Sequence, residues 1–182
     1  MGEIAPYGVY CQNNNTGFVN VGTSHDTADF AVASITRWWH CVGKHTFPGA
    51  TKLLITCDCG GSNGYRTKLW KYRLAHLAVQ TGFEIHVCHF PPGTSKWNNI
   101  EHRLFCYINK RWQGKPLIDV ETAIHLIGST STSTGLKVIC QRDDTIYETA
   151  QSVTDEEYET IPLTRLTQFE SWNYILNQYH IS

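Results

Sequence analysis

The sequence lacks long hydrophobic runs and a secretion signal. Its apolar stretches, such as FAVASI and LLIT, are far shorter than the roughly 20 residues that cross a bilayer. The first residues show no basic start followed by an apolar run, and Pro6 occupies the Ser/Thr position of a myristoylation signal. We therefore expect a soluble, cytoplasmic protein with no membrane partner.

The chain also lacks a disulfide pattern and an appreciable net charge. Its 7 cysteines are an odd number at irregular spacing, which favours free thiols in a reducing compartment. The net charge is -1, but residues 66–115 carry nine basic and two acidic side chains, and residues 141–182 carry two basic and eight acidic ones. A basic middle segment could contact phosphates or form an ordinary solvated helix face, and charge alone leaves both interpretations open.

The patterns that are present alternate between strand and helix over the length of a single domain. Residues 7–11 and 17–21 are β-rich and flank the turn-forming run NNNTG, which predicts an antiparallel hairpin. A helix capped by Asp26 or Thr27 follows, with apolar residues at helical spacing, and Gly43 should end it.

Two further strands and two helices are predicted in the middle of the chain. Residues 52–57 form a short apolar run that is typical of a buried strand, and Asp58 follows it directly. A basic helix capped by Ser62 or Asn63 leads to a strand at residues 83–90. A helix should then span residues 98–112, with Glu101 in its first turn. Weaker patterns indicate a helix near 120–127, a strand near 136–140 and short acidic helices.

Asp58 and Glu101 each have a functional and an ordinary interpretation. Ligands of open α/β sheets gather at the carboxyl ends of strands, where Asp58 lies, and the glycines after it would let a phosphate or metal approach the backbone. A Gly-Gly turn is equally a routine connection, with Asp58 satisfying nearby amides. Asn98 followed three residues later by Glu101 is also a capping-box pattern.

Several long segments resemble one branch of bacterial insertion-sequence transposases of the DDE type. The segments are LLITCDCGGSNG, CHFPPGTSKWNNIEHRLF, GLKV and SWNYI, with further similarity at PYGVY, GFVNVG, HDTADFAV and RWWHCVG. The resemblance extends over nearly all of the chain. It implies an α/β RNase H-like fold, a mixed sheet flanked by helices, in which two aspartates and a glutamate bind two divalent metals, Mg²⁺ or Mn²⁺.

The resemblance assigns two of the three metal ligands. The family's second aspartate matches Asp58 and its glutamate matches Glu101, so both are expected to be catalytic. The first aspartate has no match, because the chain shows two opening strands where the fold has three. The chain is therefore expected to lack the first central strand, which pairs with the strand bearing Asp58. Asp26 and Asp29 lie at a helix start and are expected to be caps, and Cys11 stands where the family is expected to carry an aspartate.

These matches predict that residues 1–182 are an N-terminally truncated, partial DDE catalytic domain, with an acidic C-terminal extension from about residue 141. The implied function is DNA transposition by metal-dependent cleavage and strand transfer at transposon ends and target DNA. With one carboxylate missing, we expect an inactive fragment. The alternative is a non-catalytic DNA-binding or inhibitory remnant that pairs with itself or with an intact transposase.

Four residues around Glu101 are candidates for DNA contact: Lys96, Trp97, His102 and Arg103. They could hold the scissile phosphate or stack on a displaced base, or form a packed loop with solvated charges. Five tryptophans scattered among the helices are expected to be core anchors: Trp38, Trp39, Trp70, Trp112 and Trp172.

The sequence is compatible with three other chemistries. Cys57, Cys59, Cys88 and His89 could bind zinc, although the Cys-x-Cys spacing is not that of a zinc knuckle. Cys88 could form a nucleophilic pair with His86 or His89, but no oxyanion motif accompanies it. An unrelated nucleotide-binding protein could use the Asp-x-Gly-Gly turn.

Overall fold

The computed structural model describes residues 4–114 and 119–178, so Lys115, one of the basic residues counted above, lies outside it. The chain forms two compact units, each assembled from an earlier and a later segment. The first unit takes its described residues from 1–26 and 96–147, and the second from 27–95 and 148–182. The acidic segment that begins near residue 141 therefore contributes to both units.

The elements follow one another as a mixture of strands and helices. In chain order they are β1 (Ala5–Cys11), β2 (Thr16–Gly22), α1 (Ala28–Trp38), α2 (Lys44–Thr46), β3 (Lys52–Cys57), α3 (Lys68–Thr81), β4 (Glu84–His89), α4 (Cys106–Trp112), α5 (Val120–Gly128), β5 (Lys137–Asp143), α6 (Asp155–Glu159), β6 (Leu163–Arg165) and β7 (Asn173–Leu176). π-Helical segments at Trp39–Gly43 and Glu101–Phe105 lead into α2 and α4. No helix in the described ranges is long and apolar enough to cross a membrane.

The first unit contains a three-stranded sheet in the order β1-β2-β5. β1 and β2 are antiparallel, which confirms the predicted hairpin, and β5 lies parallel to β2. The helix that runs through Glu101–Phe105 into α4 packs on this sheet, as does α5. Their shared core is formed by Val19, Val21, Leu104, Ile108, Ile127, Leu136 and Val138.

The second unit contains a four-stranded sheet in the order β3-β4-β7-β6. β3 and β4 are parallel, whereas β7 is antiparallel to both β4 and β6. The mixed α/β architecture expected from the sequence is confirmed. β3 lies at the edge of this sheet, with β4 as its only strand neighbour among the residues that the structure describes. The pairing of a further strand with β3 stays a prediction.

The prediction that β3 is buried is only partly correct. Cys57 is buried and Leu53 and Ile55 are half-buried, whereas Leu54 is 65% exposed. Only one face of an edge strand is covered here, so alternate side chains point to solvent. Consequently, an apolar run that suggested burial on both faces belongs to a strand buried on one.

The start of the first helix, α1, agrees with one of the two predicted caps, whereas its end differs from the prediction. Thr27, rather than Asp26 or Asp29, caps α1, because its hydroxyl accepts the Phe30 amide at 3.2 Å. Asp29 instead forms an ion pair with Arg73. The helix continues through Gly43 to Thr46, so the prediction that Gly43 ends it was wrong.

Candidate functional site

Asp58 begins a glycine-rich loop immediately after β3. The Gly64 amide donates to the Gly61 carbonyl at 3.1 Å, and the Tyr65 amide donates to the Cys59 carbonyl at 3.3 Å. Gly61 has a φ of +75°, which favours glycine, and a Cβ on Gly64 would lie 3.1 Å from both carbonyl oxygens. The tight turn after Asp58 therefore depends on glycine. It also delays α3 to Lys68, past the caps predicted at residues 62 and 63.

An open cleft of about 580 Å³ lies beside this loop. It is lined by the half-buried Asp58, by the loop residues Tyr65 and Arg66, and by residues 91–93 after β4. β3 and β4 are parallel, so their carboxyl ends meet at the same edge of the sheet, where ligands of α/β sheets commonly bind. This is the position expected for Asp58 from the sequence.

The imidazole ring of His89 holds the start of this loop. Its Nδ1 lies 2.8 Å from the Asp58 carbonyl oxygen, which can only accept, so Nδ1 carries the proton. Nε2 is then an acceptor, and the Tyr174 hydroxyl donates to it at 3.2 Å. Trp70 Nε1 donates in turn to the Tyr174 oxygen at 3.0 Å. Burial lowers the pKa of His89, outweighing the hydrogen bond to Asp58, so the imidazole is neutral near pH 7.

Lys71 supports the loop at a second point. Its ammonium group donates to the Tyr65 carbonyl at 2.5 Å and lies 5.9 Å from the ring centre of Tyr158 and 5.5 Å from that of Tyr174. Only 5% of this side chain is exposed. Burial, followed by the charge of Arg165, lowers the pKa of Lys71 to about 8. The basic-helix prediction treated this lysine as a surface charge, whereas it is a buried loop anchor.

The thiols near Asp58 are protonated rather than reactive. Burial, reinforced by the negative charge of Asp58, raises the pKa of Cys57. Burial also raises the pKa values of Cys59 and Cys88. The Cys59 thiol donates to the Phe90 carbonyl at 2.7 Å. A thiol with a raised pKa is a poor nucleophile, and the described residues contain no cluster of three His, Cys, Asp or Glu side chains that could hold zinc, so neither cysteine hypothesis gains support.

Glu101 lies in the first unit, exposed on the π-helical turn. Its amide donates to the Asn98 carbonyl at 3.2 Å. Leu104 and Phe105, further along the same turn, pack against two glycines of the hairpin. A Cβ on Gly17 would lie 2.5 Å from Leu104 Cδ1, and a Cβ on Gly8 would lie 2.6 Å from Phe105 Cζ. The two hairpin glycines thus let this helix approach the sheet closely and set the position of Glu101 in its unit.

The candidate DNA contacts share the segment that carries Glu101. Lys96, His102 and Arg103 are exposed, and the Trp97 side chain is 58% exposed. These residues belong to the first unit, whereas Asp58 belongs to the second. The prediction that Asp58 and Glu101 serve one metal site therefore stays a prediction.

The donor set for two metals is incomplete in the part of the chain that the structure describes. Carboxylate oxygens such as those of Asp58 and Glu101 are the donors that Mg²⁺ and Mn²⁺ prefer. However, no three His, Cys, Asp or Glu side chains cluster as a metal site in residues 4–114 and 119–178. Each carboxylate suits the proposed cations chemically, but no complete ligand set is assembled around either.

The sequence matches the family described as Rhodopirellula transposase DDE domain over residues 1–178. No curated protein and no solved structure matches the chain. The family match includes the segments of both Asp58 and Glu101.

Proposed function

Because the chain belongs to the family of transposase DDE domains, we propose that Asp58 and Glu101 are two of the carboxylates with which a complete site of this family acts on DNA phosphodiesters. The family ties the chain to DNA transposition and to DNA as a partner, and its members generally use divalent metals. The observation that supports Asp58 most directly is its position at the strand end, on a glycine-dependent loop beside an open cleft.

Asp58 and Glu101 are proposed as carboxylate ligands of Mg²⁺ or Mn²⁺. A pair of such ions, when bound, would stabilise the entering and leaving oxygens of an in-line attack at phosphorus. The protein's own contribution is to fix the carboxylates: His89 and Lys71 hold the Asp58 loop, and the hairpin glycines position the Glu101 helix. In the described ranges, neither Asp58 nor Glu101 belongs to a cluster of three possible metal ligands. We therefore propose that this chain alone cuts DNA weakly or not at all.

Lys96, Trp97, His102 and Arg103 are proposed as contacts to DNA at transposon ends or target. All but Trp97 can bear positive charge, and the exposure of all four leaves them accessible to phosphates or bases. This surface needs no metal. It therefore also supports the second candidate function, a non-catalytic DNA-binding or inhibitory protein that pairs with itself or with an intact transposase.

Metal binding can be tested without relying on activity. Titrating isotope-labelled protein with Mn²⁺ should broaden the amide resonances of Asp58 and the glycines after it, because the ion is paramagnetic. Asp58→Asn, which keeps the side-chain shape and removes the charge, should abolish the broadening. Asp144→Asn, at an exposed aspartate of the first unit, is the matched control. Broadening that persists in Asp58→Asn would remove Asp58 from the proposed site.

Cleavage is tested with linear DNA that carries the terminal repeats flanking the gene, in the presence of Mn²⁺. The full chain should shift this DNA in a gel and cut it no faster than Asp58→Ala and Glu101→Ala. Strong cutting that both substitutions remove would support the site and contradict the proposed inactivity. Absence of any DNA binding would contradict both candidate functions.

A further inference from the structure

An aromatic strip leads away from the Asp58 cleft in the second unit. It consists of Tyr65, Trp172 and Phe169. The Tyr65 and Trp172 rings meet edge to face, with centres 6.4 Å apart and an interplanar angle of 86°. The Trp172 and Phe169 rings are stacked, with centres 5.8 Å apart and an angle of 17°. The strip therefore begins at the cleft lining and ends at the surface.

Phe169 is unusual in both exposure and backbone conformation. Its side chain is 61% exposed, and its φ is +55°, a left-handed conformation that bulky residues rarely adopt. The turn is held by its backbone: the amides of Trp172 and Asn173 donate to the Phe169 carbonyl at 2.8 and 2.9 Å. The His89 amide also donates to the Trp172 carbonyl at 3.1 Å, which ties the turn to β4. The ring of Phe169 is thus presented to solvent by a turn whose hydrogen bonds are made by the backbone.

Positive charge accompanies the strip. The Arg66 guanidinium lies 5.1 Å from the Tyr65 ring centre, and its Nε donates to the Tyr65 hydroxyl at 2.7 Å. Arg165 donates to the carbonyl of Glu170, the residue after Phe169, at 3.1 Å. Both arginines are exposed, as is the Glu170 carboxylate. Stacked rings flanked by guanidinium groups match the faces of unpaired bases and the phosphates that join them.

We propose that the strip of Tyr65, Trp172 and Phe169, with Arg66 and Arg165, binds unpaired bases of a DNA strand that enters the Asp58 cleft. This inference rests on the proposed function, and it identifies which state of the DNA the second unit recognises. Paired bases keep their faces inside the duplex, so the strip should discriminate single-stranded DNA from duplex DNA. It also gives Trp172, which the sequence suggested was a core anchor, a role at the surface.

The test is fluorescence anisotropy with a labelled thymidine oligonucleotide and with a blunt duplex of the same length. Phe169→Gly removes the ring and suits the positive φ, so the protein should melt at the same or a higher temperature. Its affinity for the single strand should fall about tenfold or more. Phe169→Trp, which keeps an aromatic ring at this position, should bind the single strand as tightly as the wild type does. The affinity for the duplex should be the same in both variants as in the wild type. Ile146→Ala, at an apolar side chain that is 81% exposed in the first unit, is the control and should change nothing.

Two results for Phe169→Gly would overturn the strip: an unchanged affinity for the single strand, and an equal loss of affinity for the single strand and the duplex. If the DNA affinity is unchanged and size-exclusion chromatography shows that Phe169→Gly has lost self-association, the ring belongs to a contact with a second copy of the chain. Binding of the duplex by the wild-type protein without binding of the single strand would reject the strip alone. Binding of neither DNA would reject the proposed function together with it.

Discussion

His89 donates its Nδ1 proton to the backbone carbonyl of Asp58 across 2.8 Å, although the two residues are 31 positions apart. The bond fixes the backbone at the start of the loop that borders the cleft. Because the same ring accepts from Tyr174 through Nε2, the two ring nitrogens connect the loop to the core of the second unit. The two connections can be separated by substitution.

We predict that His89→Asn keeps the Asp58 loop ordered better than His89→Gln does. The asparagine amide can occupy the position of Nδ1 and donate to Asp58, whereas the glutamine end group lies nearer the position of Nε2. Loss of one hydrogen bond of about 1 kcal/mol should speed hydrogen exchange of the Gly64 and Tyr65 amides roughly fivefold in His89→Gln. Equal exchange in the two variants, at similar melting temperatures, would show that the bond to Asp58 does not hold the loop.

Lys71 should make the free energy of unfolding depend on alkaline pH. Its pKa is lowered from 10.5 to about 8 in the folded protein, so the unfolded chain binds the proton more tightly. Below pH 8 the burial penalty is complete, and it disappears as the pH rises from 8 to 10.5. Stability should therefore increase over that window by an amount on the order of 3 kcal/mol. Denaturant unfolding gives the free energy of unfolding of the wild type and of Lys71→Met at each pH. Subtracting one from the other cancels the titration of the other groups. A difference that stays constant from pH 7 to 10.5 would contradict the burial of a titrating lysine.

The parts of the fold that were predicted correctly depend on local signals. A turn-forming run between two β-rich segments was sufficient for the β1–β2 hairpin, and apolar runs marked β3 and β4. The prediction at Gly43 was wrong because a glycine can either end a helix or let a neighbouring side chain pack closely within it. A Cβ at Gly43 would collide with the Trp39 ring, so this glycine permits close packing within a continuing helix instead of ending it. The local sequence does not distinguish these uses, because the Trp39 ring is positioned by its edge-to-face contact with the distant Phe83, at 4.5 Å between ring centres.

Short motifs predicted the position of Asp58 in the candidate site, but not the residues that support its loop. The strand and the glycines around Asp58 predicted its position at the strand end, and the resemblance to the transposase family assigned its proposed role. The groups that hold or extend its loop come from distant positions: Tyr174 contacts His89 from 85 residues away. Lys71 follows a helical pattern that is typical of exposed residues, and only its packing against Tyr158 and Tyr174 shows that it is buried. Alternation along β4 could have placed His89 on the buried face, but not its partner.

The Asp143 carboxylate should stabilise the fold of the first unit at neutral pH and lose this effect at acidic pH. This carboxylate is fully buried and accepts from Asn20 Nδ2, the Thr145 amide and the Tyr147 hydroxyl at 3.0, 3.0 and 2.9 Å. Burial acts to raise its pKa, but these hydrogen bonds outweigh burial and lower it. The stabilisation is therefore present above the unfolded pKa of about 4 and is lost as the pH falls through the lower folded pKa.

Asp143→Asn should reduce the free energy of unfolding at pH 7 by about 1 to 3 kcal/mol, since a buried amide donor replaces an acceptor. The difference from wild type, measured by denaturant unfolding, should shrink below pH 4. Asp144→Asn is the control, because Asp144 is exposed and its pair with Arg142 contributes little. Equal losses in the two variants would show that burial of Asp143 does not matter.

Gly17 should be intolerant of even one added methyl group. A Cβ there would lie 2.5 Å from Leu104 Cδ1, and Leu104 is fully buried, so its side chain cannot turn aside into solvent. Gly17→Ala should lower the free energy of unfolding by about 1 to 3 kcal/mol through overpacking. Gly128→Ala is the matched control in the same unit, because a Cβ at this end of α5 would meet Cys140 Cβ at an ordinary 3.6 Å. It should be neutral or stabilising by up to about 1 kcal/mol.

The collision at Gly17 can be isolated with a double substitution. Leu104→Ala alone removes a buried side chain and should cost about 2 to 5 kcal/mol. If Gly17→Ala acts through Leu104, the methyl group added at position 17 occupies space vacated in Leu104→Ala, and the double variant should be more stable than the two single losses predict by at least about 0.5 kcal/mol. Chemical denaturation of the four proteins measures this coupling energy. Strict additivity would show that Gly17 is required for some reason other than the approach of the helix that carries Glu101.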